Sequence, residues 1–200
     1  FYIMVGATLD AFDGRIARKL GVYSPFGAQL DTKADFITFG VAPAIFITRY
    51  IMQSGIDGAI WVALGLGVLF YSTVHYRLIR YQNSGHHDYF EGLPSPVGAA
   101  SIAIAGISVS ASSPGMMIAL SVILSVLMAS KVAYPHNRLT RHIIIFNQSS
   151  KLSIIFWFIT LGQLLGLPFP QEWYIIDITL GLTISYLITP ILVHFSKMPE

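Results

Sequence analysis

Four aspartates near the start of the chain have the type and spacing for metal-assisted phosphoryl chemistry. They lie in the runs D-A-F-D-G-R-I-A-R (10–18) and G-A-Q-L-D-T-K-A-D (27–35). Asp10 and Asp13 are three apart and share a helix face, and Asp31 and Asp35, four apart, share a face of the next helix. Gly14 and Ala17 continue the first face with almost no bulk, and Gly27 stands one turn before Asp31. Ser24-Pro25 marks a turn, and two antiparallel helices joined there bring both carboxylate pairs together. Four carboxylates in close contact cannot all stay ionised without cations. Their hard oxygen donors suit one or two divalent ions, Mg²⁺ or Mn²⁺. Two such ions about 3.5–4 Å apart can clamp a phosphoryl group during in-line displacement. The small residues beside the acids leave room for a phosphate substrate, and Arg18 can supply fixed positive charge to a diphosphate. The plainer alternative pairs the acids with Arg15, Arg18, Lys19 and Lys33 as helix-end salt bridges. A single Asp–Arg pair would fit it; four aspartates with Gly and Ala on the same faces favour the site.

The composition shows what must hold these acids. Of 200 residues, 54% are hydrophobic and 11% charged, against about 25% charged in typical globular proteins. Mean hydropathy is +0.65. A chain this poor in charge cannot cover a soluble surface, which excludes a cytosolic globule and a disordered chain. The expected class is an all-α integral membrane protein, a polytopic helix bundle. The net charge of +2 is too small for nucleic-acid binding. With no Cys, there is no disulfide, thiolate metal site or cysteine nucleophile. No secretory signal opens the chain, and Phe1 starts inside an apolar run, so an N-terminally truncated sequence is expected.

Seven apolar helical segments are expected, at about residues 1–20, 26–52, 58–81, 96–111, 115–134, 152–167 and 173–195. A span needs roughly 20 residues at about 1.5 Å each, and the fourth and sixth segments are near the lower limit. Residues 1–200 form a single expected domain without internal repeats. The loops alternate in charge. Arg15, Arg18 and Lys19, then Arg77 and Arg80, then Lys131, Arg138, Arg141 and Lys151 mark one side, with Lys197 at the end of the chain. Loops 53–58, 112–115 and 168–172 hold no Lys or Arg, although Arg49 lies just before the first. The positive-inside rule places the basic loops, and the acids beside them, at the cytoplasmic face.

The pattern D-x-x-D-G-x-x-A-R-x(8)-G-x-x-x-D-x-x-x-D, matched over residues 10–35, resembles the motif of the CDP-alcohol phosphatidyltransferases. These are membrane enzymes that displace CMP from a CDP-linked lipid or alcohol. The resemblance implies that Asp10, Asp13 and Asp31 are ligands of Mg²⁺ or Mn²⁺, expected as two ions. It makes Asp35 the general base with a further contact to metal, and Gly14, Ala17, Arg18 and Gly27 the lining of the cytidine-diphosphate site. Three more stretches are similar to the phosphatidylserine synthase branch of that family: D-F-I-T-F-G-V-A-P-A (35–44), Y-F-E-G-L-P-S-P-V-G-A-A (89–100) and L-M-A-S-K-V-A-Y-P (127–135). R-L-I-R-Y-Q-N (77–83) is similar too. The branch implies CDP-diacylglycerol and L-serine as substrates, CMP as product, a prokaryotic cell membrane and a homodimer. Members carry another transmembrane helix before the first acidic motif; it is missing here, so part of the pocket is expected to be absent from this chain.

Other residues divide between chemistry and architecture. Arg77, Arg80 and Lys131 sit at helix ends, where they serve either as serine- or phosphate-binding groups or as membrane anchors. His86, His87 and Asp88, like His136 and His142, fit solvated loops better than a metal site. Gly92-Leu93-Pro94 reads as a turn. Trp157, Trp173, Tyr174 and Tyr186 fit interface anchoring. Two other functions compete. One is a sister transferase using glycerol phosphate or inositol phosphate, or the same chemistry on an archaeal ether lipid. The other is a cation transporter, whose acids should lie near mid-depth of the bilayer.

Overall fold

The structure, a computed structural model, describes residues 2–22, 24–83, 89–108 and 113–135. Local sequence chemistry sets the turn between the first two helices. Helix α1 (Tyr2–Leu20) closes with Gly21 at φ 68°, while the Val22 N–H donates to the Ala17 carbonyl at 3.1 Å. This is a Schellman-type end, in which a left-handed glycine lets the chain satisfy a carbonyl of the last turn. Ser24 then caps α2 (Pro25–Asp35): its Oγ accepts from the Gly27 N–H at 3.1 Å. Pro25 opens the helix where its missing N–H costs nothing.

Helix α2 runs without a break through a π-helical segment, Phe36–Val41, into α3 (Ala42–Met52). In that segment the Ala42 N–H reaches back five residues to the Ile37 carbonyl. Pro43, buried at the start of α3, explains the wide turn. Its ring crowds the carbonyl four residues back and it has no N–H to give the ladder. A widened turn absorbs that break within a continuous helix.

Helix α4 (Ala59–Asn83) packs mainly on α3. Thr48 Oγ1 donates to the Ala44 carbonyl at 2.8 Å and reaches the Ala63 carbonyl on α4 at 3.3 Å. Gly67 makes that approach possible, because a Cβ there would run into Thr48 Oγ1. Small residues at such crossings are how helices come close in lipid. Pro25–Met52 and Ala59–Gln82 are long and apolar enough to cross a membrane. Trp61, Val68, Phe26 and Ile37 project from these helices as exposed apolar groups, a surface suited to lipid.

Helix α5 (Ser95–Ala105) is buried from Gly98 to its end, as expected of a helix apolar on every side. It stops at Gly106, where the Phe46 ring occupies the space a Cβ would need. The fourth apolar segment, expected to reach residue 111, therefore ends its helix at Ala105 and is about 16 Å long. Helix α6 (Pro114–Ala129) starts under a Ser113 cap, whose Oγ accepts from the Met116 N–H at 3.2 Å. It ends where Ser130 turns extended (φ −64°, ψ 163°), short of the expected residue 134. Beyond it β2 (Ala133–Pro135) pairs antiparallel with β1 (Tyr89–Glu91), Phe90 opposite Tyr134. Apart from this short ribbon, the regular elements of the described residues are helices, in line with the all-α expectation. Phe39, Phe70, Ile102 and Leu124 are fully buried where the π segment, α4, α5 and α6 meet. The sixth and seventh expected segments, with His86, His87, Asp88, His136, His142 and the aromatic anchors at 157, 173, 174 and 186, lie outside the described residues.

Candidate active site

Asp10 on α1 and Asp31 and Asp35 on α2 each offer a carboxylate oxygen, and these oxygens all lie within 4.8 Å of one another. Asp10 and Asp35 are half-buried and Asp31 is exposed. One turn of α2 separates Asp31 from Asp35, so local geometry alone sets that pair. What delivers Asp10 is a close helix contact. Gly6, one turn before Asp10, faces Thr38 of the π segment so tightly that a Cβ would run into Thr38 Cγ2. The side chains at Asp13, Gly14 and Arg18 lie outside the described ones.

Two unit charges about 4 Å apart repel by about 4 kcal/mol at an effective dielectric constant near 20. Three carboxylates this close therefore require compensating positive charge or a shared proton. Oxygen ligands lie about 2.0–2.6 Å from Mg²⁺ or Ca²⁺, so donors within 4.8 Å of one another can meet on one such ion. The donor set fits a hard divalent cation.

Ala17, half-buried, gives its carbonyl to the end of α1. Gly27 is part of the Ser24 cap, and a Cβ there would stand 3.2 Å from Ser24 Oγ. Arg77 is buried on α4, 7% exposed, with Nη1 donating to Ser95 Oγ at 2.7 Å. Arg80, one turn on, donates from Nη1 to the Ala129 carbonyl at 3.0 Å. Its Nη2 reaches the carbonyls of Glu91 at 2.7 Å, Ser130 at 3.0 Å and Met128 at 3.4 Å. Lys131 is exposed just beyond. His75 was not apparent as a neighbour of the acidic helix. Its ring lies 5.0 Å from that of Phe36, which directly follows Asp35, and it stacks on Tyr71 at 6.3 Å. Its place on α4 two residues before Arg77 was the available clue.

The chain matches the CDP-alcohol phosphatidyltransferase family over residues 1–133. It is 32% identical over 153 residues to the CDP-diacylglycerol–serine O-phosphatidyltransferase of Methanocaldococcus jannaschii, covering 76% of this chain and 71% of that protein. It is 36% identical over 108 residues to the protein of the same name from Mycobacterium leprae, covering 50% of this chain and 34% of the relative. For the Saccharomyces cerevisiae protein of that name the identity is 39% over 105 residues, covering 50% and 38%. The chain thus spans about a third of the length of the mycobacterial and yeast relatives. The family match takes in every described helix, from the two that bring the carboxylates together to the one that ends on Arg80. On that match the chain belongs to the CDP-alcohol phosphatidyltransferases, a membrane-embedded family.

Proposed function

We propose that this chain transfers the phosphatidyl group of CDP-diacylglycerol to the hydroxyl of L-serine and releases CMP. The observation that carries this is the convergence of Asp10, Asp31 and Asp35 at one point of the family's motif. Serine as acceptor is supported by the names of the relatives and by the branch motifs. Asp10, Asp13 and Asp31, with Asp35 alongside, are the residues that hold Mg²⁺ or Mn²⁺, as two ions. Divalent cations bound there neutralise charge on the diphosphate and on departing CMP. Asp35 accepts the proton of the serine hydroxyl. The freed oxygen bonds to the β-phosphorus, the bond from that phosphorus to the bridging oxygen breaks, and CMP leaves with the electron pair. Gly14, Ala17, Arg18 and Gly27 frame the cytidine diphosphate. Arg77 and Lys131 supply positive charge toward the serine carboxylate. The site lies near the cytoplasmic face of a prokaryotic membrane, in a single domain that pairs with a second copy, and the lipid tails stay in the bilayer.

The test is CMP release from CDP-diacylglycerol with Mn²⁺ or Mg²⁺, with serine, glycerol phosphate and inositol phosphate as acceptors. Serine-dependent release with the highest kcat/KM is expected. A higher kcat/KM for a phosphate-bearing acceptor would move the chain to a sister transferase. Cation flux in liposomes without CMP release would make it a transporter.

A further inference from the structure

A helix end leaves its last carbonyls without intrahelical donors. At the end of α6 three of them, on Met128, Ala129 and Ser130, are met by one side chain from another helix, Arg80 of α4. The same guanidinium donates to the Glu91 carbonyl of β1, and its Nε lies 4.0 Å from Glu91 Oε2. The Tyr76 ring backs it, with the guanidinium carbon 5.4 Å from the centroid. The chain around this point is laced together by backbone bonds. The Gly92 N–H donates to the Val132 carbonyl at 2.8 Å and the Leu93 N–H to the Leu127 carbonyl at 3.1 Å. Gly92 has φ 76°, and a Cβ there would stand 2.8 Å from both Arg80 Nη2 and the Ser130 carbonyl. The two stretches so joined, 89–100 and 127–135, are both branch motifs, and the second carries Lys131.

We infer that Arg80 is a positioning residue: it fastens the end of α6 and the β1 strand to α4, and so fixes the acceptor side of the site without touching the acceptor. This rests on the transferase function proposed above. A planar fork with five donors can serve several carbonyls at once, whereas a lysine ammonium is a point charge on a flexible stem. Substitution by Lys therefore separates the clamp from a charge contact with the serine carboxylate.

The experiment uses the full chain in nanodiscs, as wild type, Arg80→Lys, Arg80→Gln and Gly92→Ala, each checked for a cooperative melt. Gly92→Ala disturbs the same junction without removing a charge. Hydrogen exchange at the Gly92 and Leu93 amides should rise by about tenfold or more in all three variants, with α1 and α2 unchanged. The serine KM should rise by about tenfold or more in all three, while the CDP-diacylglycerol KM and the half-saturating Mn²⁺ concentration stay within about twofold. Unchanged exchange in both Arg80 variants overturns the clamp, and that measurement needs no activity. A wild-type serine KM in Arg80→Lys with a raised one in Arg80→Gln makes Arg80 a direct charge contact and overturns the inference. Faster exchange with an unmoved serine KM overturns the link to the acceptor. A wild type that releases no CMP with any acceptor defeats the transferase function itself, and the acceptor role with it; the exchange data then decide the clamp alone.

Discussion

Asp35 is the last residue of α2 and the first neighbour of the π segment, so it belongs both to the carboxylate cluster and to the wall behind it. If it is the base, charge removal should slow turnover without loosening the lipid. Asp35→Asn is expected to lower kcat by about 10²–10⁴-fold, with CDP-diacylglycerol affinity, measured calorimetrically with Mn²⁺, little changed. Asp10→Asn should instead raise the metal concentration needed for half-maximal turnover. Loss of lipid binding in Asp35→Asn as complete as in Asp10→Asn would make Asp35 chiefly a ligand. Chelation by EDTA should abolish CMP release and added Mn²⁺ or Mg²⁺ restore it; turnover that survives chelation would remove metal from the mechanism. At this scale the sequence was informative about the acids, because three- and four-residue spacings on a helix translate directly into shared faces. It singled out Arg80 as an acceptor-binding group or a membrane anchor, and was silent about what that side chain holds. The partners of that side chain are carbonyls of residues 91 and 128–130, and a carbonyl carries no residue identity for a sequence to display.

Between helices, the contact of Gly6 with Thr38 sets how far Asp10 stands from Asp31 and Asp35. Gly6→Ala is expected to push α1 off the π segment, destabilise the protein by about 1–3 kcal/mol as overpacking does, and raise the half-saturating Mn²⁺ concentration. The atom in the way is Thr38 Cγ2, which Thr38→Ser removes, so the double variant should recover most of the metal affinity and of Tm. Equal Mn²⁺ titrations for wild type and Gly6→Ala would show that this contact does not place Asp10. The turn at Ser24-Pro25, built from neighbouring residues, was legible in the sequence. The π turn was not, since its residues carry the same apolar character an α-helix would. The ribbon of β1 and β2 was hidden for another reason. Its strands are three residues each, too short for an alternating pattern, and tertiary contacts end α6 before the apolar run does.

For the molecule as a whole, the absence of Cys offers a clean labelling background. Val22, in the α1–α2 turn, and Ile56, between α3 and α4, are 65% and 48% exposed. With Val22→Cys and Ile56→Cys made singly, a membrane-impermeant maleimide should label the first only in inside-out vesicles and the second only in intact cells. Labelling of both from one side would contradict a membrane-crossing helix over Pro25–Met52. The membrane class was legible from composition, since 11% charged residues cannot clothe a soluble surface. The number of spans was less so, because hydropathy does not separate a helix that meets lipid from one enclosed by protein. Helix α5 is the instructive case, and it has a consequence for biogenesis. At about 16 Å it reaches across roughly half of a hydrocarbon core about 30 Å thick, and its Gly, Ala and Ser residues give lipid little to grip. Released from the ribosome alone, such a segment has no stable home in the bilayer. It must be received by α1, the π segment and α3, already inserted, and closed over by α6 as synthesis continues, so the order in which the chain emerges becomes part of how it is built.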